Sequence, residues 1–304
     1  MLTSSYRFEF WGFGRIKVAQ IVGYVREPRI IGPLSDPNFY AQALLVLVPV
    51  ALYRLWDESS IRLKVIAAYA LGVVLLALMF TYSRGGSLAL GLVLLLAAIH
   101  KKVKLHYFCL GLLIVIPLYL LLIPKEFEGR LQTLKQLTPG GQKSIVHVDS
   151  SFQERVLEMG TARAMWVDYP VLGVGAGNYS EHFDEYAARI GSIGSSYELF
   201  DKRRLPHSLY LEVAAEIGSV GLIVLGAIIL STLVTFRRAY RFFKARQDRA
   251  SSSIVISLAL GFIGYLVTSL FLHGQYMEYF WLLAALAVAA KQVAQQPESC
   301  GANA

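Results

Sequence analysis

The sequence predicts an all-α integral membrane protein: a polytopic helical bundle of about seven spans with one large, mostly helical external loop. Three observations predict this class. Hydrophobic residues make up 55% of the 304 residues and charged residues only 16%, which is too apolar for an ordinary soluble domain. The apolar residues fall into continuous runs, several close to the roughly twenty needed to cross a bilayer core as helices. Lysine and arginine, which give a formal charge of +8, gather beside those runs.

Residues 1–38 form an external segment ahead of the first span. Tyr6-Arg7-Phe8-Glu9-Phe10 and Arg15-Ile16-Lys17-Val18 alternate in polarity with glycines between them, the pattern of a short β-hairpin. The segment has no charged, apolar and small-residue series of the kind a signal peptide carries. Its basic residues on an external segment run against the charge rule, so further spans are expected to precede it in a longer protein. The turn at Asp36-Pro37-Asn38 starts the first span, with Asp36 or Asn38 capping free amides.

Spans are expected at 39–53, 61–80, 87–99 and 106–123, grouped as region 39–123, and at 208–236, 254–272 and 276–290, grouped as region 207–290. A cytoplasmic tail, 291–304, follows. The external loop at 124–206 is about eighty residues long, far beyond an ordinary helix connection. Orientation follows from the basic loops, since lysine and arginine concentrate on the cytoplasmic side. Lys101, Lys102 and Lys104 mark one such loop. Arg237, Arg238, Arg241, Lys244, Arg246 and Arg249, against the single acid Asp248, mark another. The loop at 124–206 and the turn around Arg84 therefore face outward.

The basic excess lies in juxtamembrane loops, so anionic membrane lipids are the expected partner and nucleic acid is not. Cys109, within a span, and Cys300, in the tail, are too far apart in this topology to pair, and no zinc site is readable. Arg84 stands in Ser83-Arg84-Gly85-Gly86 beside two apolar runs. An arginine there is costly unless it meets an anion or an aqueous cavity, and the flanking glycines let backbone amides approach a ligand. The bland alternative is an arginine snorkelling to headgroups. Gly173-Val174-Gly175-Ala176-Gly177-Asn178 lacks the strand and following acid of a dinucleotide fingerprint. A turn that packs the loop onto the spans is the expected role.

In order along the chain come Arg29-Ile30-Ile31-Gly32-Pro33, Asp36-Pro37-Asn38, Ser83-Arg84-Gly85-Gly86, Glu154-Arg155, Pro170-Val171-Leu172-Gly173-Val174-Gly175, Pro206-His207-Ser208-Leu209-Tyr210-Leu211-Glu212 and Glu216-Ile217-Gly218. This ordered set, with its long external loop, resembles O-antigen ligases and O-antigen polymerases. The resemblance implies a glycosyltransferase in the bacterial inner membrane, active at the external, periplasmic face in lipopolysaccharide or other polysaccharide biosynthesis. It would move a glycan from an undecaprenyl diphosphate carrier to a hydroxyl of a lipid or glycan acceptor. Members usually carry several more amino-terminal spans.

The residue chemistry fits that implied reaction. A departing diphosphate needs its charge neutralised, and the planar fork of arginine binds phosphate oxygens in pairs; Arg84 and Arg155 take this role. The attacking hydroxyl must lose a proton, and an imidazole suits that task; His207 takes this role. Since Pro206 favours a helix's first turn, His207 is expected at the external end of its span. A capping or interfacial histidine is the alternative. For Arg155 the alternative is a solvated surface pair with Glu154 or Glu158.

Arg163 competes with Arg155 as a substrate ligand, while Arg29 and Asn38 are further candidates. Glu212 and Glu216 share a helix face, where hydrogen bonding within the bundle competes with substrate contact by Glu212. No acidic cluster on the external face is spaced like a divalent-ion site. The expectation is therefore a reaction with neither metal nor cofactor, driven by the diphosphate-linked donor. A transporter or a non-catalytic scaffold is the alternative of another class, but no internal repeat supports a transporter.

Overall fold

The computed structural model describes residues 4–10, 14–21, 24–25, 29–34, 36–104, 150–190, 204–274 and 277–296. The expected fourth span at 106–123, both cysteines and the first part of the loop, 124–149, lie outside the described residues. Contacts divide the chain into two units, Met1–Lys101 with Val224–Ala304, and Lys102–Ile223. In chain order the described elements are β1 (Ser4–Phe10), β2 (Gly14–Ile21), β3 (Tyr24–Val25), β4 (Arg29–Gly32), α1 (Pro37–Asp57), α2 (Ile61–Phe80), α3 (Arg84–His100), α4 (Ser150–Asp168), α5 (Tyr179–Arg189), α6 (Leu209–Ala245), α7 (Arg249–Thr268) and α8 (Met277–Gln295).

In the first unit β2 is the common partner of the other strands. It pairs antiparallel with β1 from Ser4↔Ala19 to Phe10↔Gly14, and with β4 through Ile16↔Ile30. The alternating segment is thus a hairpin, and Arg29–Gly32 adds a strand to it. Asp36 then caps α1, its carboxylate accepting the Asn38 amide at 2.7 Å.

Among the described residues, α1, α2, α6, α7 and α8 are long and apolar enough to cross a membrane, and α3 is a shorter apolar helix. In α2 only Ala67 and Leu78 are buried, while Ile61 and Tyr69 are 72% and 74% exposed. A helix with apolar surface on this scale suits a lipid surround.

The connection before α7 differs from the expectation. The span predicted to stop near 236 continues as a helix to Ala245, because Phe236, Ala239 and Phe243 keep a buried stripe at helical spacing through the basic cluster. The cluster that read as a loop is therefore mostly the last turns of a helix. Chain reversal is confined to the Arg246–Gln247–Asp248 stretch, after which Asp248 caps α7 by accepting the Ser251 amide at 3.0 Å.

Leu45, Val93 and Ala97, all fully buried, and Leu260 form the apolar core of this unit. Gln42 is the polar link across it. Its amide donates to the Tyr265 carbonyl, the Thr268 hydroxyl and the Ser269 hydroxyl at 3.2, 2.9 and 3.0 Å. Hydrogen bonds between membrane helices are each worth on the order of 0.6–1.7 kcal/mol. Gln42→Ala should therefore lower unfolding free energy by about 1–2 kcal/mol, read as a lower unfolding midpoint in detergent.

Candidate active site

The second unit is assembled on one face of α4. Leu157, Glu158, Thr161, Ala162 and Met165 are all buried, a helical stripe that packs against Tyr179, Phe183 and Tyr186 of α5 and Ala215 of α6. Tyr179 is fully buried. Its hydroxyl donates to the Glu158 carbonyl at 2.8 Å and lies 2.7 Å from the Thr161 hydroxyl. Burial pushes the Tyr179 phenol up, and the Glu158 and Glu212 carboxylates push the same way. The phenol is therefore a fixed donor that anchors the α4 backbone at Glu158.

The glycine-rich turn after α4 is clamped to a break in α6. Gly218 has φ 71° and ψ −161°, which frees the Ala215 and Glu216 carbonyls to accept the Val174 and Gly175 amides at 2.8 and 2.9 Å. In return the Ser219 and Val220 amides donate to the Pro170 and Val171 carbonyls at 2.8 and 3.2 Å. Glu216 then caps α5, its carboxylate accepting the Gly177 and Tyr179 amides at 2.9 and 3.2 Å. Its bonds go to the turn and to α5, a capping role of the kind orphan amides require. A turn packed onto a span-length helix is what the glycine motif builds.

At the far side of α5, Tyr186 donates to Asp168 at 2.8 Å. Burial, and then the Asp168 carboxylate, push its phenol up to about 12 from its ordinary value near 10. A raised phenol stabilises the fold only while neutral. Its contribution is full below pH 10 and is lost as pH rises from about 10 to 12. Unfolding followed from pH 8 to 12 should show this loss, and Tyr186→Phe should make the profile shallower in that window, the raised Tyr179 phenol accounting for part of the loss that remains.

Glu158 is the centre of the unit's polar chemistry. It is only 6% exposed, and its carboxylate accepts from His207 Nδ1 at 2.5 Å, with Arg204 Nη1 3.8 Å from its other oxygen. The Arg204 guanidinium also lies over the Phe183 ring, 5.3 Å from its centroid. The solvated surface pairing considered as an alternative for Glu158 does not hold: it points inward along the α4 stripe to the imidazole. An ionised carboxylate only accepts, so Nδ1 carries the proton and, in the neutral ring, Nε2 is the accepting nitrogen. That is the tautomer a general base requires.

His207 stands just outside α6. The helix begins at Leu209, and Ser208 takes the capping position, with the Glu212 amide bonded to its carbonyl at 2.9 Å. Pro206 therefore precedes the helix instead of lying in its first turn, and Glu158, on another helix, aims the ring. Half-buried Arg155 lies three residues before Glu158 on α4, whereas Arg163 is exposed. Glu212 is half-buried on the first turn of α6.

The remaining candidates belong to the first unit. Arg84 is exposed and opens α3, where Ser83 caps by accepting the Gly86 amide at 3.2 Å. Its glycine neighbours also have packing reasons: a Cβ at Gly85 would lie 3.2 Å from Phe271, and one at Gly86 would lie 3.0 Å from the Ala41 Cβ. Arg29 joins three elements, donating to the Thr81 carbonyl at 2.7 Å and to Asn38 Oδ1 at 3.1 Å. The structure thus brings Arg29 to Asn38 and His207 to Glu158.

The sequence does not reveal that Glu158, Arg204 and Tyr179 gather at the candidate site. A signal was present for Glu158, a carboxylate within the buried stripe of an amphipathic helix, where an acid needs a partner.

Span-length apolar helices, and an imidazole held on a buried carboxylate, define a membrane protein with a candidate site at the head of α6. A family profile described as O-antigen ligase matches residues 68–226, just over half of the chain, and the chain belongs to that family. Membership supports a glycosyltransferase-like activity of the O-antigen ligase and polymerase kind, on lipid-linked glycans in general. Comparison with curated proteins gives no match. The matched residues include Arg84, Arg155, Glu158, Arg163, His207 and Glu212.

Proposed function

We propose that the chain transfers a glycan from an undecaprenyl diphosphate carrier to an acceptor hydroxyl at the external face of the bacterial inner membrane. The observation that carries this reading is the Glu158–His207 pair, 2.5 Å apart with Glu158 buried. The acceptor oxygen attacks the anomeric carbon and the bond to the diphosphate oxygen breaks. His207 Nε2 takes the hydroxyl proton, and the diphosphate leaves with the bonding electron pair. Arg84 and Arg155 offset the charge that develops on the leaving group.

Arg163 and Glu212 are assigned to substrate contact, and Arg29 with Asn38 to the same role through their mutual hydrogen bond. Ligation onto a lipid acceptor and polymerisation onto a growing glycan share these steps and differ only in the acceptor. The test uses the full chain in proteoliposomes with an undecaprenyl diphosphate-linked glycan and reads release of the carrier diphosphate. Arg84→Lys keeps the charge and loses the fork, so transfer should fall by about tenfold or more. Unchanged transfer would remove the bidentate role from Arg84.

A further inference from the structure

We propose that the basic end of the first unit holds a pocket for the phosphate headgroup of an anionic lipid. The cavity there has a volume of about 590 Å³, and its lining includes Tyr53, His100, Lys101, Tyr240, Lys244 and Arg249. These residues come from the carboxyl ends of α1, α3 and α6 and from the start of α7. Arg84 and Lys101 stand at opposite ends of α3, 17 residues and about 25 Å apart. The pocket is therefore separate from Arg84, the residue of this unit assigned to the leaving group.

Its floor is satisfied internally. His100 is held through both ring nitrogens, Nδ1 at 2.8 Å from the Tyr53 hydroxyl and Nε2 at 2.9 Å from the Tyr240 hydroxyl. Lys101 pairs with Asp57 at 2.5 Å and lies over the Tyr53 ring, 4.8 Å from its centroid. Asp57 also accepts from the Ser253 hydroxyl. The other acid at the cavity, Asp248, is occupied in capping α7.

The rim is different. Among the described residues, neither Lys244 nor Arg249 has a carboxylate within ion-pairing distance. Two cations without an ion-pair partner, Lys244 lying 5.6 Å from the Tyr240 ring centroid, stand with the Ser252 hydroxyl on the lining and make a donor set suited to a phosphate oxyanion. Gln247, also on the lining, holds φ at 60° in the turn between α6 and α7. Glycine would adopt that conformation at less cost, and a glycine there would give up the side chain that faces the cavity.

Exposed apolar residues at the same end of the bundle favour a lipid as the source of the phosphate. Trp56, near the end of α1, is 40% exposed, and Ile61 and Ile66, at the start of α2, are 72% and 62% exposed. They put apolar surface for acyl chains at the end of the bundle that carries the cations, and basic pockets between membrane helices hold acidic headgroups.

The test is native mass spectrometry of the full chain extracted from nanodiscs of equal phosphatidylglycerol and phosphatidylcholine. The expected result is preferential retention of phosphatidylglycerol. Retention should fall on the order of twentyfold in the Lys244→Gln/Arg249→Gln variant, at about fivefold per cation. It should persist in Lys244→Arg/Arg249→Lys, which keeps both charges, and in Arg237→Gln/Arg238→Gln, which removes two exposed cations from elsewhere on the same helix. Equal loss in the two glutamine variants would reduce the effect to diffuse surface charge and overturn the pocket, as would full retention in Lys244→Gln/Arg249→Gln. Displacement of the lipid by millimolar inorganic phosphate would overturn the lipid assignment and give the site to a soluble phosphate.

Discussion

His207→Ala should lower glycan transfer by about 10²–10⁴-fold, the usual worth of a positioned general base, with little change in the apparent affinity for the donor. The acceptor hydroxyl would then have to lose its proton to water while its oxygen attacks. Glu158→Gln should reach roughly 10–10²-fold by an indirect route, because a neutral amide no longer compels the proton to sit on Nδ1 and can present a donor there instead. Glu158 is thus a positioning residue. Its loss should appear in the turnover number and in an altered pH profile of transfer, not in donor affinity. Both variants need a check of folding, since the same contact ties the segment ahead of α6 to α4.

Gly218→Ala should cost the second unit at least about 3 kcal/mol, combining backbone strain with a forced displacement. Its φ of 71° and ψ of −161° lie in a region that essentially only glycine adopts. A Cβ there would also fall 2.3 Å from the Val171 carbonyl oxygen and 2.7 Å from the Gly173 amide. The opposing turn cannot retreat without losing the four backbone hydrogen bonds that clamp it. Limited proteolysis of the region between α4 and α6 should accelerate, and transfer should fall with it, because the clamp and the Glu216 cap set α5 against α4. Gly226→Ala, on the same helix with nothing within 4 Å of the added carbon, should leave stability unchanged or slightly raised.

The spans were readable because they depend on composition over a local window. Residues 61–80 form the helix that the sequence predicts, and of the two caps expected for α1, Asp36 or Asn38, it is Asp36 that takes the position, its partner lying two residues away. The end of α6 was misplaced because the arginines at 237, 238 and 241 look like a loop in composition, while Phe236, Ala239 and Phe243 continue the buried stripe. His207 stands in a motif that singles it out as a candidate. Its hydrogen-bond partner is not legible there, because Glu158 lies 49 residues earlier and one helical turn from Arg155, so that a local ion pair is the nearer explanation. The Gly173 and Gly218 motifs were both visible, but only the fold shows that each makes room for the other's backbone.

The most direct test is a double-mutant cycle on Glu158 and His207, with transfer from the lipid-linked donor as the readout. If Glu158 acts through the imidazole, Glu158→Gln should cost roughly 10–10²-fold in the wild-type background and almost nothing in His207→Ala. Losses that multiply in the double variant would show the two residues acting independently, and would contradict the claim that this pair forms the base.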